Sequence, residues 1–144
     1  MSRVKNYLLV LSVFICLSGM AQKINVSQVP EPVLSKFKML YPDAKNVTWE
    51  KEELNYKCLC TFHGVNIAVR LDEKGNLLEK QTEINVTELP VKVYGYVLNH
   101  YPGKKISKAL KIEDGEGKTT CMAETVDADL FFDPEGNLLR KKDK

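Results

Sequence analysis

The chain has 144 residues, and its 21 Lys and Arg against 19 Asp and Glu give a formal net charge of +2 at neutral pH. This balance, without a basic face interleaved with aromatic side chains, argues against nucleic acid as a partner. Four cysteines are too few to hold the chain together as a disulfide scaffold, so the fold must rest on a hydrophobic core.

The N-terminal segment has the pattern of a secretory signal peptide. Arg3 and Lys5 precede an apolar run, and small residues lead to Ala21. This pattern predicts a signal peptide over residues 1–21, cleaved between Ala21 and Gln22, and too short and wrongly flanked for a membrane span. We therefore expect a periplasmic or secreted protein with no membrane span after the signal is removed.

Two stretches that lie 60 residues apart begin the same structural pattern. The segment 24–30, which ends in Val-Pro, returns as 84–90, which ends in Leu-Pro. After each proline, apolar residues recur as on one face of a helix. Each run stops at Tyr-Pro, because the residue before a proline is pushed out of the helical region. The sequence therefore predicts two amphipathic helices, which end near Tyr41 and Tyr101.

Alternating apolar residues after each helix predict β-strands. In the first copy Trp49 and the segments 56–62 and 65–71 show a period of two. A hairpin turn with the pattern Asp-x-x-Gly-Asn-Leu-Leu follows at 72–78 and returns at 133–139. Its aspartate can bond the local backbone, and its glycine can reach a positive φ. Calcium binding is the alternative for such a stretch, but the spaced oxygen ligands of an EF-hand loop are missing.

These elements predict an α+β fold of two tandem repeats, residues 22–83 and 84–144. Each repeat is expected to contain one helix followed by a four-stranded antiparallel sheet, with one sheet face packed on the helix and the other free. The second copy aligns with the first through a one-residue insertion after its helix. In this alignment Leu110 is the second-copy counterpart of Trp49.

The pattern resembles that of the PepSY-like family, small secreted or periplasmic proteins of Bacteroidetes that are also described as β-lactamase-inhibitor-like, or BLIP-like. The resemblance rests on Val-Pro at 29–30, Tyr-Pro at 41–42, Lys-Asn-Val-Thr-Trp-Glu at 45–50 and the turn at 72–78, with their second copies. It covers nearly the whole mature chain. It implies a tandem-repeat fold with a curved sheet open to a partner, and it carries over no catalytic residue.

The free sheet face offers the candidate partner-binding residues. Strand alternation places Leu59 and Arg70 of the first copy, and Met122 and Phe131 of the second, on the side away from the helices. An aromatic ring, a methionine and an arginine together are typical of protein interfaces. Trp49, which only the first repeat offers, completes the hypothesised site. The open alternatives are strands shifted by one residue, or a second repeat that covers this face.

Three cysteines remain after signal removal, an odd number for an exported protein. Cys58 and Cys60, with His63 nearby, have the ligand types for Cu(I) or Zn, although alternation turns His63 to the other face or into the turn. In the alignment of the two repeats, Cys121 is the counterpart of Cys60. Packing in equivalent core positions is therefore a second interpretation, and a Cys60–Cys121 disulfide is a third.

No catalytic constellation is recognisable in the sequence. The two histidines lie in different repeats, no Ser or Cys has the setting of a nucleophile, and no phosphate-binding loop occurs. We predict a non-enzymatic binding or inhibitory module without a cofactor, a monomer or weak dimer, that acts on another protein through the open sheet face. The alternative is a periplasmic small-ligand or metal-binding protein that uses the Cys58 and Cys60 region.

Overall fold

The computed structural model describes residues 21–144, so the predicted signal peptide, apart from its last residue, lies outside the described part of the chain. The elements within that part, in chain order, are β1 (Gln22–Ile24), α1 (Glu31–Leu40), β2 (Lys45–Glu52), β3 (Asn55–Phe62), β4 (Val65–Leu71), β5 (Leu77–Ile84), α2 (Val91–His100), β6 (Lys108–Asp114), β7 (Thr119–Glu124), β8 (Ala128–Phe132) and β9 (Leu138–Asp143). Neither of these helices is long and apolar enough to cross a membrane.

The nine strands described form one antiparallel sheet, in which every strand pairs with its neighbours in sequence. β5 pairs with β4 on one side and with β6 on the other, so the sheet runs unbroken through both repeats. The expected arrangement of a separate four-stranded sheet in each repeat is replaced by this single sheet. The reason is that β5 serves both repeats, since its last residue, Ile84, corresponds to Ile24 at the end of β1. The expected boundary between residues 83 and 84 lies inside β5.

Both predicted helices are confirmed, with their ends. α1 follows Pro30 and ends at Leu40, and α2 follows Pro90 and ends at His100. Proline suits the start of a helix, because its φ is already helical and no N–H partner is needed there.

The two helices cover the same side of the sheet, and each has its own hydrophobic core. Under α1, the rings of Phe37 and Trp49 meet edge to face, with centroids 5.2 Å apart. The corresponding residues under α2 are Val97 and Ala109, both buried. Both sides of this helix–sheet contact are therefore smaller in the second repeat.

Three loops share one hydrogen-bonded form, which we call the Asp turn. In the first, the carboxylate of Asp72 accepts backbone hydrogen bonds of 2.9 Å from the residues two and four positions later. Gly75 has a φ of +84° and donates its N–H to the carbonyl oxygen of Asp72. The predicted turn at Asp133 has the same closing bonds. The loop at Asp114, between β6 and β7, is a third copy that the sequence pattern did not distinguish from an ordinary turn.

Cross-strand pairing corrects the alignment of the two repeats. Trp49 lies opposite Cys58, and the equivalent pair in the second repeat is Ala109 and Ala123. Each residue of β6 corresponds to the residue of β2 that lies 60 positions earlier in the chain. The corresponding distance is 65 positions between β7 and β3, and 61 positions between β8 and β4. The β6–β7 hairpin is therefore longer, and the β7–β8 hairpin shorter, than its counterpart, and the net insertion of one residue conceals both changes. Leu110, expected to match Trp49, faces the opposite side of the sheet.

The same change of hairpin length moves Cys121. Cys121 pairs with Phe132, the residue before the second predicted Asp turn. In the first repeat the residue before the Asp turn, Leu71, pairs with Tyr56. Cys121 therefore corresponds to Tyr56 and not, as the sequence alignment indicated, to Cys60.

Candidate functional site: the open face of the sheet

The side of the sheet away from both helices, which we call the open face, is not covered by any element of residues 21–144. It carries Leu59, Arg70, Met122 and Phe131, as the strand alternation predicts. The alternate residues in these strands form the two cores. The alternative of strands shifted by one residue is therefore wrong. The second repeat does not cover this face either, because it extends the same sheet.

The open face is curved around a cleft of about 660 Å³. Neighbouring strands lie about 4.8 Å apart, so β4 and β9 would be roughly 24 Å apart in a flat sheet. Arg70 of β4 and Arg140 of β9 nevertheless line the same cleft, so the sheet must bend toward the open face. The cleft is lined by Arg70, Glu79, Gln81, Ile112, Asp114, Lys118, Thr120, Asp129, Phe131, Leu139, Arg140 and Lys142.

In the first repeat, one row of paired residues across the open face is charged. This charged ladder consists of Glu50, Lys57, Arg70 and Glu79, which lie opposite one another on β2 to β5. Arg70 Nε donates to Glu52 Oε2 at 2.8 Å, and Arg70 Nη1 lies 3.4 Å from Glu79 Oε1. Lys57 Nζ lies 3.9 Å from Glu50 and 3.8 Å from Glu52. The charges of this ladder are thus neutralised within the protein.

In the second repeat the equivalent row is mostly apolar. This apolar ladder consists of Leu110, Met122, Phe131 and Arg140, paired across β6 to β9. Ile112, in the place of Glu52, lies two residues along β6 on the same face. The sequence pattern did not identify Leu110 and Ile112 as open-face residues, because the true lengths of the hairpins were needed to assign their side. The two repeats therefore present different chemistry at equivalent positions.

Arg140, at the end of the apolar ladder, lies over the ring of Phe131. Its guanidinium carbon is 3.5 Å from the centroid of the Phe131 ring, a cation–π contact. Asp129, two residues before Phe131 on β8, lies 3.4 Å from Lys144 Nζ, which also lies 2.8 Å from Glu124. The hydrogen bond that Lys144 donates to Glu124 raises the pKa of Lys144 above its usual value.

The five candidate partner-binding residues separate into three groups. Arg70 and Phe131 line the 660 Å³ cleft, whereas Leu59 lines a smaller adjoining cleft of about 180 Å³ that it shares with Leu110. Met122 pairs with Phe131 but is only 7% exposed, so it packs beneath the exposed side chains of this surface and offers little area to a partner. The prediction that Trp49 contacts a partner is wrong. This residue is 3% exposed under α1, because its indole ring fills the first core.

The structure does not bring the predicted metal ligands together. Among residues 21–144, no group of three His, Cys, Asp or Glu side chains is placed to hold a metal ion. Cys58 and Cys60 are buried in the first core, while the exposed ring of His63 stacks on Phe62 in the hairpin turn. Burial raises the pKa of the Cys58 and Cys60 thiols and so disfavours the thiolate that a metal needs.

The alternative of a Cys60–Cys121 disulfide is also wrong. All three cysteines in the described part of the chain are free and buried. Cys60 belongs to the core under α1 and Cys121 to the core under α2. Burial raises the pKa of Cys121 as well. Core packing, the second interpretation, is what the structure shows for these side chains.

A family model described as "Putative beta-lactamase-inhibitor-like, PepSY-like" matches the chain twice, over residues 17–79 and 72–140. The chain belongs to this PepSY-like family. The two matches follow the two repeats and overlap at the first Asp turn and the start of β5. A search of the curated proteins gave no match to this PepSY-like protein.

Several solved structures share the fold of this PepSY-like protein. A protein of the DUF2874 family from Bacteroides uniformis is 21% identical with a TM-score of 0.70, over 79% of this chain and 88% of that one. A protein described as periplasmic, from Bacteroides eggerthii, is 18% identical with a TM-score of 0.72, over 80% and 88% of the two chains. A BLIP-like protein from Bacteroides fragilis is 26% identical with a TM-score of 0.62, over 79% and 86%.

Proposed function

We propose that this PepSY-like protein is an exported, non-enzymatic binding or inhibitory module that acts on another protein through the open face. The observation that carries the proposal is the apolar ladder on the uncovered side of the sheet. Leu110 and Phe131 cannot contribute to either helix-covered core, because they lie on the opposite side of the sheet. Apolar side chains grouped on a curved, uncovered surface are typical of a contact site.

The chemistry of the cleft supports a binding role over catalysis. Its lining contains neither histidine nor cysteine, and its one hydroxyl is that of Thr120. The description of the family as inhibitor-like agrees with this proposal. Export to the periplasm or beyond is supported by the signal pattern in the sequence and by the relative from Bacteroides eggerthii that is described as periplasmic.

The experiment that tests this function is affinity capture from an envelope extract, with residues 22–144 as bait. The open-face variant carries Leu59→Glu and Phe131→Glu. The control carries Leu98→Glu, a single change of the same kind on α2 at the other side of the sheet, where Leu98 is 71% exposed. Unfolding curves first establish that all three baits fold.

We expect a protein that is retained by the wild type and by the Leu98→Glu control, but not by the open-face variant. Such a result identifies the partner and assigns binding to the open face. Equal retention by all three baits would place binding elsewhere. Retention of nothing by any of them would contradict the proposed function as a stable binding module.

A further inference from the structure

We infer that the segment bound at the 660 Å³ cleft is an acidic and apolar stretch of polypeptide, in which a carboxylate pairs with Arg140 and a neighbouring apolar side chain packs on Phe131 and Ile112. This inference rests on the proposed function, because it names the chemistry of the partner that the open face binds.

Arg140 is held in an orientation that suits a carboxylate. Its guanidinium carbon lies 3.5 Å from the centroid of the Phe131 ring, and this cation–π contact favours one placement of its donors over the cleft. Within residues 21–144 it forms no ion pair. A planar guanidinium with free N–H groups binds a carboxylate through two parallel hydrogen bonds, and stacking reduces the entropy lost in doing so.

In the first repeat, acids of the same chain pair with the arginine of the open face, whereas the second repeat has no such acids in the equivalent row. Arg70 is neutralised by Glu52 and Glu79 of its own chain. The residues at the positions of these two acids in the second repeat are Ile112 and Arg140. The positions of Lys57 and Arg70 are likewise held by Met122 and Phe131, so the row in the second repeat contains one cation, Arg140, and no carboxylate. A carboxylate of a bound segment can therefore supply the partner that Arg140 lacks in its own row.

The other charged side chains of the cleft also leave cations without a carboxylate partner. Each acid in the lining is already engaged: Glu79 by Arg70, Asp129 by Lys144, and Asp114 by the backbone of its own loop. The two lysines in the lining, Lys118 and Lys142, form no ion pair with any described residue. The cleft therefore offers cations without partners beside apolar side chains.

The shape of the surface favours a polypeptide over a free organic acid. The cleft adjoins the smaller one lined by Leu59 and Leu110, so apolar side chains continue beyond the reach of a single small molecule. A free acid would neutralise Arg140 but would leave most of the apolar ladder in contact with water. A chain with alternating acidic and apolar side chains would cover both.

The test is selection of random peptides displayed on phage against the immobilised wild-type protein, residues 22–144. Binders that also bind the Phe131→Glu variant are discarded, so that only ligands of the open face remain. The affinities of the selected peptides are then measured for Arg140→Gln and for Lys141→Gln. Lys141 is the adjacent residue of β9, pairs with Leu130 on the helix side and so provides a matched loss of one positive charge.

We expect the selected peptides to be enriched in Asp or Glu next to Leu, Ile or Phe. Arg140→Gln should weaken their binding by about tenfold or more, whereas Lys141→Gln should change it little. Peptides that require Phe131 but show no acidic bias, or that tolerate Arg140→Gln, would overturn this inference and leave the open-face function standing. If no peptide depends on Phe131, the open-face function itself is contradicted.

Discussion

Gly75, in the Asp turn between β4 and β5, lies against the backbone of Pro32 in the first turn of α1. A Cβ atom added at Gly75 would lie 2.5 Å from the carbonyl oxygen of Pro32. In the second repeat a Cβ atom at Gly136 would lie 2.9 Å from the Cβ atom of Lys92, at the start of α2. Each of these Asp turns therefore holds the start of a helix against the end of two strands, which explains why the motif recurs with its glycine.

We expect Gly75→Ala to lower the free energy of unfolding more than Gly64→Ala does. Both glycines have a positive φ, which costs a residue with a Cβ atom about 1–2 kcal/mol. Only Gly75 adds a collision with a backbone atom, since nothing lies within 4 Å of a Cβ atom at Gly64. Urea unfolding of both variants measures the difference. Equal losses would show that the contact with Pro32 adds no constraint.

Removal of the indole ring of Trp49 should destabilise the first core, not weaken a partner contact directly. We expect Trp49→Ala to lower the free energy of unfolding by about 3–5 kcal/mol, the range for a buried aromatic residue. Trp49 is the single tryptophan of the chain, so its fluorescence reports its environment without ambiguity. Emission from the native protein should be blue-shifted and poorly quenched by iodide. Emission typical of an indole in water would contradict the burial of this side chain.

Stability should decrease in acid because of two Asp turns. Hydrogen bonds from the side chains of Asn76 and Asn137 hold the pKa values of Asp72 and Asp133 below their usual range. A group with a lowered folded pKa adds stability that is complete above its unfolded pKa, about 3.9, and is lost as the pH falls through the lower folded value. Urea unfolding at a series of acidic pH values should show this loss.

The double variant Asp72→Asn, Asp133→Asn should flatten this dependence, because it removes both titrating groups. The control Asp143→Asn changes an exposed carboxylate at the end of β9, which lies outside any Asp turn. We expect the control to keep the acid dependence of the wild type. An unchanged slope in the double variant would show that other carboxylates cause the acid loss.

The thiols of residues 22–144 should be unreactive until the fold opens. Burial raises the pKa values of Cys58, Cys60 and Cys121, so neither the thiolate nor access for a reagent is available in the native state. Titration with a disulfide reagent should detect no fast-reacting thiol in native residues 22–144 and all three in denaturant. Rapid reaction of Cys58 or Cys60 that Zn²⁺ blocks would revive the metal-binding alternative.

Local patterns in the sequence were enough to predict the helices and two of the Asp turns. The position of Pro30 and the Tyr-Pro stop determine α1 within the chain itself, and the aspartate and glycine of the turn act over a few residues. Alternation also placed Leu59, Arg70, Met122 and Phe131 on one face correctly, since it needs only the period of a strand.

The errors arose where long-range pairing decides the outcome. The sequence alignment pairs Leu110 with Trp49 and Cys121 with Cys60. It does so because one inserted residue accounts for the spacing between the two copies just as well as two compensating changes of hairpin length. In a β-sheet a shift of one residue exchanges the two faces, so the side on which Leu110 lies depends on which residue it pairs with across the sheet. Only the tertiary structure supplies that pairing, with Met122.

The sequence by itself determined the repeat, the helices, two of the Asp turns and the faces of β3, β4, β7 and β8, because these follow from local geometry and from a period of two. The tertiary structure decided that the strands form one curved sheet, that Trp49 belongs to the core, and that Phe131 and Arg140 meet on the open face. These features depend on contacts between residues far apart in the chain. The candidate site is of this second kind, since it lies where strands from both repeats converge.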